Sequence, residues 1–136
     1  MPGESLEYSE PGDDFQVADL VAFSVSAVGA AAADIQYRGV GGPLVCVCPD
    51  NYTLLAQQVS LVNVSAGAIL ATIQIVSGAT TVVLLEVELG ANSSTFISAS
   101  SVRLIAPPTF KFQALSSAGA SLDVQMLVRM IFGAGL

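Results

Sequence analysis

The chain has no His and no Trp, and among its 136 residues there are only four Lys and Arg and two Cys. Without His it lacks the commonest general base and the commonest metal ligand, so Ser-His and Cys-His hydrolase arrangements are excluded. The cations Arg38, Arg103, Lys111 and Arg129 are scattered, and cannot form the basic stripe that phosphate backbones require. They do not supply a polybasic anchor for anionic lipid either. Nucleic acid and membrane are therefore not expected partners.

Charge of any kind is scarce. Charged residues make up 11% of the chain and hydrophobic ones 53%, whereas an average soluble domain is about 25% charged. A free monomer needs more charge than this to cover its surface without large apolar patches. Composition therefore points to a homo-oligomer whose faces are covered by other chains. The length suits one domain with a proper core.

The formal charge of -7 is unevenly placed. Glu4, Glu7, Glu10, Asp13 and Asp14 crowd the start, while the rest of the chain is close to neutral. The opening "MPGESLEYSEPGDD" has neither a positive n-region nor an apolar h-region, so a secretory signal is not expected and an intracellular origin is. Its Gly, Pro and acids read as an extended arm over residues 1–14, ahead of a single β-domain over 15–136. The arm is either a solubilising tail or a segment that docks on a basic neighbour. On the second reading those five acids are candidate partner-binding residues.

No charge occurs at all from Asn51 to Leu85. A membrane helix would need about 20 predominantly apolar residues, usually flanked by Lys or Arg. Here Asn63, Ser65, Gly67, Thr72, Gln74 and Ser77 interrupt the run. Ile69, Ala71, Ile73 and Ile75 instead alternate with Leu70, Thr72, Gln74 and Val76, between the turn-like "SAGA" and "SGAT". That is a strand bounded by hairpin turns.

Similar alternation recurs along the chain. Val21, Phe23, Val25 and Ala27 share one face, and Ile35 and Tyr37 share another, before "RGVGGP" breaks the pattern. "LVCVC" reads as a short strand ended by Pro49. Val59 to Val64 is apolar on both parities, which implies burial on both faces or a bulge near Leu61. Thr81 to Leu89 alternates less cleanly and ends with Glu86 and Glu88 on one face. Phe96 to Ile105 is one long strand or two short ones, stopped by Pro107 and Pro108, after which Phe110 and Phe112 oppose Lys111 and Gln113. The clearest pattern comes last, with Leu122, Val124, Met126, Val128, Met130 and Phe132 on one parity. Turns at roughly ten-residue intervals and no helical period predict an all-β fold, an antiparallel β-sandwich or jelly-roll-like barrel of about eight strands.

Candidate chemistry is thin. Cys46 and Cys48 would lie about 7 Å apart on one strand face, too far for a comfortable disulfide. Two thiolates make a poor zinc site, so they read as buried, reduced thiols. The glycines of "RGVGGP" precede no helix start and no Lys-Ser or Lys-Thr, so they are turn glycines rather than a phosphate loop. The close acid pairs, Asp13 with Asp14 and Glu86 with Glu88, lack the aromatic platforms that accompany glycosidase carboxylates, and two ligands fall far short of a calcium cage. Asn51, Asn63 and Asn92 each begin an N-x-S/T sequon, read here as chance in polar turns. No enzyme, cofactor or metal is expected.

In order, "VSLVNVSAGAILATIQIV", "TTVVLLEVELGANSSTF", "VRLIAPPTFKFQAL" and "SLDVQMLVRMIF" resemble the hairpin succession of small structural virion proteins of tailed bacteriophages, over about residues 54 to 132. The resemblance implies a non-enzymatic component of the virion, assembled in the host cytoplasm. It would be a capsid decoration (cement) protein, or else a head-to-tail connector or a tail or fibre adaptor. Such decoration proteins sit as trimers over capsomer junctions, bound to the major capsid protein, with an N-terminal arm reaching onto the shell. A glycan- or receptor-binding tail module is the alternative class, and Tyr37, Tyr52 and Phe96 are the aromatics near expected turns that it would use.

Overall fold

The computed structural model describes residues 20–39, 42–45, 47–98 and 103–132, of which 38, 39 and 42–45 are described by their backbone alone. These residues form eleven strands: β1 (Leu20–Val28), β2 (Ala33–Asp34), β3 (Gln36–Gly39), β4 (Gly42–Val45), β5 (Tyr52–Asn63), β6 (Ile69–Ser77), β7 (Thr80–Leu89), β8 (Ser94–Ser98), β9 (Leu104–Ala106), β10 (Lys111–Ser116) and β11 (Leu122–Phe132). One antiparallel sheet runs β4-β3-β1-β11-β5-β8, with β9 also on β5, and the other runs β2-β10-β6-β7.

The chain crosses between the sheets as it leaves β1, β2, β5, β7, β9 and β10, so β1-β11-β5-β8/β9 faces β2-β10-β6-β7. That order is the jelly roll, a double sheet of eight strand positions. One position is shared by β8 and β9, which pair with successive parts of β5, and the β3–β4 hairpin is added beside β1. The uncharged stretch from Asn51 therefore becomes β5, β6 and the first half of β7. Among the described residues no helix is long and apolar enough to cross a membrane.

The core lies between the sheets. Phe23, Leu54, Leu61, Leu104, Val124, Met126 and Val128 enter from one side and Ile69, Ile73, Ile75, Phe112 and Ala114 from the other, all buried. Alternation in β6, β10 and β11 delivers these side chains, as periodicity predicts.

Three bulges set aside the simple parity. In β5 the buried side chains change from Leu54 and Ala56 to Val59, Leu61 and Asn63. The cause is an extra residue, Gln57: Leu127 pairs with Gln58, but Val128 pairs with Ala56. The irregularity expected near Leu61 thus falls four residues earlier. In β7 the extra residue is Leu84, because Ile73 pairs with Leu85 and Gln74 with Val83. In β1 Val25 pairs with Val124 and Val28 with Leu122, so Val28 rather than Ala27 takes the inward position. Ala27 is exposed at φ 55, and its N–H donates to Asp123 Oδ1 at 2.9 Å.

Two further expectations are corrected. Cys48 is buried as expected but lies beyond β4, which ends at Val45, and its thiol donates to Tyr52 O at 3.2 Å. Cys46 lies outside the described residues. Phe132 does not enter the core; it is 64% exposed and stacks edge-on against Tyr52 at 5.3 Å.

Close backbone approach explains one glycine. The Gly29 carbonyl accepts from Ser116 N at 2.9 Å, and a Cβ there would stand 3.1 Å from Gly119 Cα and 3.3 Å from Ala120 N. Backbone cannot yield as a flexible side chain can, so Gly29→Ala is expected to destabilise by about 1 to 2 kcal/mol through overpacking. Urea unfolding checks it, as a lowered midpoint with an unchanged slope.

Candidate functional site

The five acids expected to bind a partner, Glu4, Glu7, Glu10, Asp13 and Asp14, lie outside the described residues, as does the arm that carries them. The other acid pair is described. Glu86 and Glu88 project from the outer face of β7, opposite Thr72 and Leu70, and both are exposed. Among the described residues no group of three or more His, Cys, Asp or Glu could hold a metal ion.

The bulge at Leu84 divides β7 into unlike halves. Beyond it, Leu85, Val87 and Leu89 turn inward and the two glutamates turn outward. Before it, Thr80, Thr81, Val82 and Val83 are all exposed, with Val82 at 42% and Val83 at 52%. β7 ends its sheet, so among the described residues it pairs on one side alone, with β6. Edge strands in free proteins usually carry Lys, Pro or inward charge against unwanted pairing. This half of the edge has a bulge at its end and no charge.

On the same outer face, a polar row crosses three strands. Gln74 donates to Gln113 Oε1 at 2.9 Å, and Gln113 donates to Asp34 Oδ1 at 2.8 Å. Lys111 Nζ stands 3.0 Å from the same oxygen. Burial pushes the Asp34 carboxyl up, but the hydrogen bonds from Gln113 and Lys111, with the Lys111 charge, outweigh it and hold the group below its ordinary value of 3.8. A depressed folded pKa contributes stability above the unfolded value that is lost as pH falls through the folded one. Asp34→Asn is therefore expected to cost up to about 1 kcal/mol at neutral pH, since the pair is partly exposed. The difference should shrink as pH falls below the ordinary value of 3.8 and through the lowered folded one, as thermal melts across pH 2 to 7 will show.

Polar closure of the other end rests on a residue that looked like a chance sequon. Asn63 is buried at the end of β5. Its Nδ2 donates to Gly67 O at 2.8 Å, Gly90 O at 2.8 Å and Leu89 O at 3.2 Å, while Oδ1 accepts from Ser65 N at 2.9 Å and Ser65 Oγ at 2.7 Å. One side chain thus ties the β5–β6 turn to the β7–β8 turn. The other two sequon residues fit the turn reading, Asn51 at φ 69 and Asn92 at φ 53.

The opposite sheet carries a depression of about 450 Å³ on its outer face. Ala22, Ser24, Gln58, Ser60, Phe96, Gln125 and Leu127 line it, and none is ionisable. Phe96 is 63% exposed there. Tyr37 lies elsewhere, packed partly buried against the core beside Phe23, with ring centroids 6.0 Å apart.

No family model and no curated protein matches the chain. Among solved structures it is similar to PRD1 vertex protein P5, at 15% identity and a TM-score of 0.46, covering 85% of this chain and 99% of that one. Murine APRIL is similar at 9% identity and a TM-score of 0.47, over 82% of this chain and 99% of that one. A pentameric capsid protein isolated from metagenomic phage sequences is similar at 18% identity and 0.41, over 90% of this chain and 69% of that one. The fold assignment itself rests on the strand order of the chain.

Proposed function

We propose that this protein is a non-enzymatic structural component of a virion, and within that class a capsid decoration (cement) protein. The observation that carries this reading is the charge-free half of β7, an uncovered edge strand with Val82 and Val83 exposed. Its occupant is an edge strand of a sister copy. The whole chain is short of charge, so each copy brings the same shortage of solvated surface, and pairing of edges relieves both.

Several features support the assignment to a particle. The jelly-roll body offers two broad faces and few charges, and the hairpin succession resembles that of small phage virion proteins. Repetition also matters, because apolar contact at about 25 cal/mol per Å² is modest at one joint and large over many. The arm's acids Glu4, Glu7, Glu10, Asp13 and Asp14 would dock on a basic patch of the major capsid protein, where charge complementarity fixes register and speeds encounter. A trimer over a capsomer junction is the assembly the resemblance implies.

Light scattering on the purified chain tests self-association, and co-sedimentation with shells lacking the protein tests the role in the particle. The expected result is a defined oligomer that sediments with shells and loses that affinity when residues 1–14 are removed. A stable monomer at micromolar concentration that ignores shells would sink the reading.

A further inference from the structure

We infer that the depression on the outer face of the β1-β11-β5-β8 sheet is a binding site for a neutral saccharide, a function separate from the β7 edge on the opposite sheet.

Strand register builds the site. Ser24 pairs with Gln125, Gln125 with Ser60 and Ser60 with Phe96, which makes one row across four strands. Two residues along each strand, Ala22, Leu127 and Gln58 form the adjoining row. Neighbouring strands lie about 4.8 Å apart, so Gln125 and Phe96 stand about 10 Å apart with only the small Ser60 between them. That leaves a trough the width of a pyranose ring with its hydroxyls. Its volume of about 450 Å³ lies within the range of small-molecule clefts, about 300 to 1,000 Å³.

The chemistry of the walls selects the ligand. Phe96, at 63% exposure, offers an aromatic face to the C–H side of a sugar ring. Among the described residues no side chain hydrogen-bonds the amides of Gln58 and Gln125 or the hydroxyl of Ser60. Each of these groups both donates and accepts, as sugar hydroxyls do. The lining has no ionisable group to pair with an anion or a cation. The nearest charges along β11 are engaged elsewhere, Asp123 with the Ala27 N–H and Arg129 in its own contacts.

The test is a titration of the full chain, followed by amide and side-chain NMR, with neutral hexoses and N-acetylhexosamines and a sialylated oligosaccharide as the anionic control. At about 10 mM ligand a millimolar site is well occupied. The expected result is that at least one neutral sugar shifts Ser24, Gln58, Ser60 and Gln125, while the anionic control does so less. Phe96→Ala and Gln125→Leu should each weaken that binding about tenfold without changing the melting temperature by more than a degree or two, since both side chains are exposed. The inference is overturned if no neutral sugar shifts these residues. It is equally overturned if Phe96→Ala changes the oligomeric mass, which would make a second copy the occupant of this face.

Discussion

Asn63→Ala should lose about 3 kcal/mol of stability, on the order of 10 °C in melting temperature. The side chain is not large, and the loss does not come mainly from a cavity. It comes from the bonds of the buried Asn63 amide to the carbonyls of Gly67, Leu89 and Gly90 and to the N–H of Ser65; the Leu89 bond is the fully buried one, while Gly67 O also accepts from Ser65 Oγ and Gly90 O from Ser93. A buried backbone group left without a partner costs about 1 to 3 kcal/mol, and water entering the gap recovers part of it. Asn63→Asp should be worse still, because a carboxylate would face those carbonyls with no proton to donate. Denaturant unfolding and melting curves of the two variants check the order. A loss below about 1 kcal/mol for Asn63→Ala would show that the two turns hold without their shared clamp.

The second large effect is on assembly. Val83→Lys places a charge in the uncharged half of the edge, on its outer face beside the incoming strand, as free edge strands carry Lys against pairing. The expected result is a dissociation constant raised about tenfold, from like charges set beside each other across the paired strands at up to about 1 kcal/mol per pair, with the fold intact, because Val83 is 52% exposed in the single chain. Glu88→Lys, in the half that already carries charge, is the control and should change little. Analytical ultracentrifugation over a range of concentrations separates the two.

How much of this was legible beforehand follows from which signals are local. The alternation in β6, β10 and β11 is local, and it marked Ile73, Phe112 and Val124 as core residues. The order of turns also carried the double-sheet class. Bulges are different: Gln57 and Leu84 are extra only relative to partners on β11 and β6. No reading of β5 or β7 alone can locate a register slip that belongs to a pair of strands. Val83 illustrates the consequence, since it shares parity with Leu85, Val87 and Leu89 and yet faces outward.

The site residues divide along the same line. The missing charge from Asn51 to Leu85 is visible in the sequence, and the scarcity of charge over the whole chain points to covered faces. Which edge could be known only from sheet order, where β7 comes last. Asn63 matched a sequon, and its true role depends on turns reached through two other strands. Phe96 reads from the sequence as an aromatic near a turn, but the trough beside it exists only because Ser60 and Gln125 come from β5 and β11. The acidic arm lies outside the described residues, and its docking is part of the proposal.

Hydrogen exchange along β7 tests the central claim most directly. If this edge joins a sister copy, the amides between Thr80 and Leu85 that point away from β6 should be protected in the assembled protein. They should lose that protection on dilution or in Val83→Lys. Exchange at those amides as fast as in the monomer, while the protein remains oligomeric, would contradict the account.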